Sequence, residues 1–233
     1  MSRVQALKTQ VLEANLELVR RGLVIQAFGN ASGIDRDEGL VIIKPSGVAY
    51  DRLTVDNLVV VDLDGRTVDG DLRPSSDLAT HMALYKAFPA IGGVAHTHSR
   101  FATSWAQAGR EIPCLGTTHA DSFRGAVPVT EPMTQAEIRS AYEWNTGQVI
   151  VRRFTALDPM ELPAALVNGH APFCWGPTPA DAANIAVILE EVAAMAWHTI
   201  TLNPGAEPIS PVLRDKHFLR KHGPDAYYGQ TGG

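Results

Sequence analysis

The segment 91–98 (IGGVAHTH) constrains this chain more than any other. A short apolar run ending in two histidines reads as a buried strand. Alternate side chains of a strand share a face, so His96 and His98 project together, about 7 Å apart along the backbone. A third imidazole, His170, follows a second apolar run, 164–169 (AALVNG). Three histidines with one coordination position left open describe a catalytic zinc site. Imidazole combined with carboxylate also accepts manganese.

The chain has 233 residues, 45% of them hydrophobic and 19% charged, which suits a globular protein with a sizeable core. A net charge of −5 argues against a general nucleic-acid or membrane-surface binder. No basic-flanked apolar leader and no run of 18 uncharged apolar residues is visible, so the expectation is a cytoplasmic protein. Cys114 and Cys174 form no C-x-x-C pair and read as small buried hydrophobes.

Helical spacing of Val4, Leu7, Val11, Ala14 and Leu18 predicts an N-terminal helix that stops at Gly22. The runs 40–43 and 58–61 read as strands, with a hairpin at Asp64-Gly65. The segment 74–77 (PSSD) reads as a helix start capped by Ser75 or Ser76. Helices are also expected from about Ser99 to Ala108, after the Thr134–Glu137 capping box, from Pro179 to about Thr199, and from Val212 to His222. Residues 148–151 read as a strand. The hairpin signals point to a mixed or mainly antiparallel sheet, and no linker divides the chain, so one domain is expected over 1–233, with a C-terminal tail from about 223.

Polar turns stand beside these elements. The segments 29–32 (GNAS) and 44–47 (KPSG), with Ser75 and Ser76, offer backbone N–H groups, hydroxyls and a helix start, which together suit an anion. Alone, each reads equally as an ordinary turn. His81 and His198 lie within predicted helices and read as surface or packing residues. His222 reads as a cation at a helix C-terminus, and the roles of His119 and His217 stay open.

GNAS, KPSG, PSSD, HTHS (96–99), GTTHAD (116–121), the His170 segment and YYGQ (227–230) together resemble the class II sugar-phosphate aldolase/epimerase family, within it the L-ribulose-5-phosphate 4-epimerases. The likeness runs from about Val11 to Gln230. It implies an α/β/α sandwich around a largely antiparallel central sheet, assembled as a homotetramer with active sites at subunit interfaces. It implies zinc on His96, His98 and His170, with Asp77 beside the metal, ligating directly or through water. Gly29, Asn30, Ser46, Gly47, Ser75 and Ser76 match substrate and phosphate contacts. Asp121 and Tyr228 match an acid/base pair supplied by a neighbouring subunit. Thr117, Thr118, His119 and His217 are further proton-relay candidates. The chain departs from the family pattern at Asn168 and Ala171 near the third histidine, and at Ser122 and Arg124, where aromatic residues are expected.

The implied reaction interconverts L-ribulose 5-phosphate and D-xylulose 5-phosphate by opening and re-forming the C3–C4 bond. The C4 hydrogen is not next to the carbonyl, so direct deprotonation there is difficult. The alternative is an aldolase of the same family that releases its products. A purely structural zinc is disfavoured, because such sites are closed and usually use cysteine.

Overall fold

The turn-punctuated apolar runs build a seven-stranded sheet, and the computed structural model describes residues 2–228. In chain order the elements are α1 (Arg3–Arg20), β1 (Asn30–Asp35), β2 (Leu40–Ile43), β3 (Val59–Asp62), β4 (Thr67–Asp69), α2 (Leu78–Ala87), β5 (Gly93–His96), α3 (Arg100–Gln107), α4 (Thr117–Ala120), α5 (Gln135–Arg139), α6 (Tyr142–Arg153), β6 (Ala164–Leu166), β7 (Pro172–Gly176), α7 (Pro179–Leu202) and α8 (Pro211–His222). The sheet order is β4-β3-β2-β1-β5-β7-β6, with every neighbouring pair antiparallel.

Successive residues of β1 show the two faces. A side chain at Gly33 would collide with Leu7, Val11 and Pro179, so α1 and α7 press against that face. Ser32, pointing the other way, meets His81 and Tyr85 of α2. The sheet therefore lies between helical layers, an α/β/α arrangement. Helix α7 is apolar and long enough, by length and composition, to cross a membrane. Here its Ala182, Ala186, Leu189, Val192 and Ala193 are buried, and it packs on β5, β7 and α1.

Three readings are corrected. Residues 148–151 belong to α6, not a strand. Their β-branched composition is overridden by packing: Val149 and Ile150 are buried, and Gly147 lets α6 approach α2, where a Cβ would sit 2.5 Å from that of Ala83. Only Gly29 of the 29–32 segment lies outside the sheet, because Asn30, Ala31 and Ser32 already pair in β1. Helix α2 begins at Leu78 with Asp77 in the capping place, rather than Ser75 or Ser76. The Ser75 hydroxyl instead accepts from Asp77 N–H at 3.3 Å, within a turn closed by Leu78 N–H to Ser75 O. Gly229 and Gln230, the end of the YYGQ motif, lie outside the described residues.

Candidate metal centre and substrate cradle

Strand β5 ends at His96, and its partner β7 begins at Pro172, just after His170. This pairing brings the distant third imidazole to the other two. The ligand atoms of His96, His98 and His170 all lie within 4.8 Å of one another. His96 stacks on Phe173 at 4.1 Å between centroids, and its Nδ1–H donates to the Pro172 carbonyl at 2.9 Å. That bond leaves Nε2 as a lone pair, the form that ligates. His96 Nε2 stands 3.1 Å from His98 Nε2. Tetrahedral zinc with bonds of 2.0–2.1 Å sets adjacent nitrogens about 3.3 Å apart, so the spacing fits a shared cation.

Electrostatics favour the same reading. Burial lowers all three histidines below the usual imidazole value. For His170, burial followed by repulsion from His96 and His98 takes it to about 4. The rings are therefore neutral, as metal ligands must be. The buried Nδ1 of His170 has no hydrogen-bond partner among the described residues.

Asp77 stands outside the compact donor set. Its Oδ2 accepts from Asn30 Nδ2 at 2.6 Å. Burial alone raises its carboxyl, but the facing rings of His96 and His81, with the Asn30 bond, hold it below the ordinary carboxylate value. Asp77 is thus an ionised group beside the centre.

The polar turns converge on this end of the sheet. Asn30 pairs across strands with His96, and its amide also donates to Ser75 Oγ at 3.1 Å. Ser75 N–H donates to Lys44 O, and Ser46 N–H to Arg73 O, which joins the KPSG turn to the PSSD turn. Gly29 has φ +93°, and a Cβ there would lie 2.8 Å from His96 O, so only glycine allows this approach. Ser46, Gly47 and Ser76 are exposed, open to a ligand. Lys44 is buried, its amine 4.8 Å from the Tyr50 ring centroid, and burial lowers its pKa. Tyr50 O–H donates to Gly29 O at 2.8 Å and holds the turn.

Asp121 and Tyr228 fall elsewhere, where α4 meets α8. Asp121 accepts from His217 Nδ1–H and from Arg220 at 3.0 Å, and lies 3.3 Å from Lys221 Nζ. His222 Nε2–H donates to the Asp121 carbonyl, so it does more than face the helix dipole. Tyr228 is exposed, with Lys221 Nζ 4.4 Å from its ring centroid. The two candidates share one cationic cluster, and among the described residues every hydrogen bond to the Asp121 carboxylate comes from α8. His119 is buried and donates from Nε2 to Gly125 O.

His81, read as a surface or packing residue, is fully buried and bonded in a polar chain that the sequence reading missed. That reading also missed Tyr50 and the Arg220–Lys221 pair. Position i+4 from Asp77 was the available signal for His81, since it shares the Asp77 face of α2.

The family described as "Class II Aldolase and Adducin N-terminal domain" matches residues 9–197. The chain is 55% identical over 227 residues to L-ribulose-5-phosphate 4-epimerase UlaF of Salmonella paratyphi A, covering 97% of this chain and 100% of the relative. The same figures hold for UlaF of Salmonella typhi. Among solved structures, L-fuculose 1-phosphate aldolase superposes with a TM-score of 0.76 at 22% identity, over 93% of this chain and 97% of that one. YgbL of Klebsiella pneumoniae, titled a putative aldolase/epimerase/decarboxylase, gives 0.72 at 24% identity, over 93% and 99%. Both show the fold. With a full-length relative at this identity, the chain belongs to the class II aldolase family, in the branch of the L-ribulose-5-phosphate 4-epimerases.

Proposed function

We propose that this chain interconverts L-ribulose 5-phosphate and D-xylulose 5-phosphate by reversible C3–C4 cleavage. The supporting observation is 55% identity across the whole length of an epimerase of that name. His96, His98 and His170 would hold a divalent ion, zinc or in its place manganese. When bound, the ion supplies the Lewis acidity that takes up negative charge as the carbon–carbon bond opens.

The chain's own groups do the rest. Asn30, Ser46, Gly47, Ser75 and Ser76, with Gly29 in the same turns, hold the phosphate and hydroxyls through N–H and O–H donors. This grip retains the cleaved fragment, so recombination outruns release. Asp77, ionised beside the imidazoles, orients a substrate hydroxyl. Asp121 and Tyr228, contributed by a neighbouring copy in a homotetramer, handle the C4 oxygen proton on the two faces of the rotating aldehyde. Each such transfer contributes about 10²–10⁴-fold. The whole chain acts as one unit, in the cytoplasm, where charged sugar phosphates are retained.

Incubation of the zinc-loaded protein with L-ribulose 5-phosphate should yield D-xylulose 5-phosphate. Accumulation of dihydroxyacetone and glycolaldehyde phosphate without the xylulose product would move the assignment to an aldolase.

A further inference from the structure

Behind the metal centre, between β1 and α2, lies a buried polar chain that the reaction above does not use. Tyr85, Ser32 and His81 are each at most 1% exposed. The Ser32 hydroxyl is 2.8 Å from Tyr85 Oη and 2.7 Å from His81 Nδ1. The proton order along this chain is the one that leaves the fewest buried polar groups unpaired. The phenol proton therefore goes to Ser32 Oγ, the acceptor within reach. The Ser32 proton is then directed at His81 Nδ1. With Nδ1 accepting, the neutral ring carries its hydrogen on Nε2. In the reverse order the buried phenol proton would have no acceptor.

That Nε2–H is buried and has no partner among the described residues. An unpaired buried donor is costly, so its direction is informative. His81 lies one helical turn after Asp77 on the same face of α2, and the Asp77 charge acts on its ring. Asn30, two residues before Ser32 on the same face of β1, has a buried Oδ1 that is also unpartnered. The α2 face thus places His81 next to the carboxylate, and the β1 face places Ser32 next to the amide that grips it.

We propose that His81 is a positioning residue for Asp77: its Nε2–H, fixed by the Tyr85–Ser32 chain and making no direct hydrogen bond to Asp77 or Asn30, faces that pair and restrains through its dipole the carboxylate that orients the substrate hydroxyl. His81 remains a neutral donor throughout and exchanges no proton with substrate. The kinetic consequence rests on the epimerase reading above; the tautomer does not.

Two measurements on the zinc-loaded protein test this. Long-range ¹H–¹⁵N spectra should show His81 with hydrogen on Nε2, and hydrogen on Nδ1 would overturn the proposal whatever reaction the protein performs. Kinetics then compare His81→Asn, which keeps a polar atom near the Nδ1 place, with His81→Gln, which restores a donor near the Nε2 place. His81→Asn should lower kcat roughly 10- to 100-fold, with KM and zinc content near wild type, as for groups that orient a site. His81→Gln should recover most of that loss. Equal losses in the two variants, or a loss confined to KM or to zinc content, would reduce His81 to packing. Tyr85→Phe leaves the histidine in place and should let the Nδ1–H tautomer appear. If His81→Asn does not fold, a Tyr85→Phe spectrum unchanged from wild type would overturn the proposal.

Discussion

The histidine centre and the Asp121 corner are held by different forces. His96 sits at a strand end, stacked on Phe173 and tied to a backbone carbonyl, inside the core. Asp121 is held by side chains of one terminal helix whose only buried residue is Phe218. The first arrangement is fixed by the sheet and stays put when charges elsewhere change. The second is an ion cluster, sensitive to every charge in it. The histidine centre is thus built into the scaffold, while the helix that holds Asp121 is docked onto it.

The largest expected effect is at the scaffold end. His98→Asn should lose zinc and turnover together, by about 10³-fold in kcat if roughly 4 kcal/mol of charge stabilisation goes with the metal. Metal analysis alongside kinetics checks this, and unchanged zinc content would mean the ligand is misassigned. Asp121→Asn should be next, lowering kcat by about 10²-fold, the lower end of what a proton-transfer group contributes, while zinc content stays full. Loss of zinc in that variant would break the separation between the two regions.

The same contrast explains what the sequence reveals. The histidines are legible because strand alternation and an apolar approach are local signals. Strand β1 is not, because Asn30 and Ser32 carry polar side chains into the interior, Ser32 to His81 and Tyr85 of α2 and Asn30 to Ser75 and Asp77 just before it. Ser32 and His81 are 49 positions apart, and no periodicity relates them. Residues 148–151 mislead in the opposite way, being β-branched yet helical, because α6 must lie against α2 through Gly147. Asp121 is recognisable from its motif, but its partners on α8 lie 96 and 99 positions away and follow only from the docking of that helix.

Arg124 sharpens the comparison further. It stands where the family resemblance leads one to expect an aromatic residue. Its guanidinium pairs with Asp215 of α8 at 3.2 Å and with Glu161, and lies 6.0 Å from the Phe218 ring centroid. A polar clasp thus supplements apolar docking, two residues before His217 of the Asp121 cluster. Arg124→Gln should lower kcat severalfold without changing zinc content. Wild-type activity should also fall with salt, as the Debye length shrinks to about 4 Å near 0.5 M. Stopped assays at two ionic strengths read both effects, and salt-indifferent activity would show that Phe218 alone seats the helix.

The smallest effect is a local response to acid. Burial alone raises the Asp121 carboxyl, but hydrogen bonds from His217, Arg220 and Lys221 outweigh it and hold the group below its ordinary value of 3.8. The docked state therefore binds fewer protons than the undocked one in the window between the lowered value and 3.8. The stabilisation is fully present above 3.8 and is lost as pH falls through the lowered value. Hydrogen exchange, corrected for its intrinsic pH dependence, should show amides 211–222 losing protection as pH drops from about 5 towards 3, ahead of amides 93–96 in the sheet. Protection that declines in step in both segments would mean that α8 is part of the same cooperative unit as the metal centre, and that the docked corner has no separate stability.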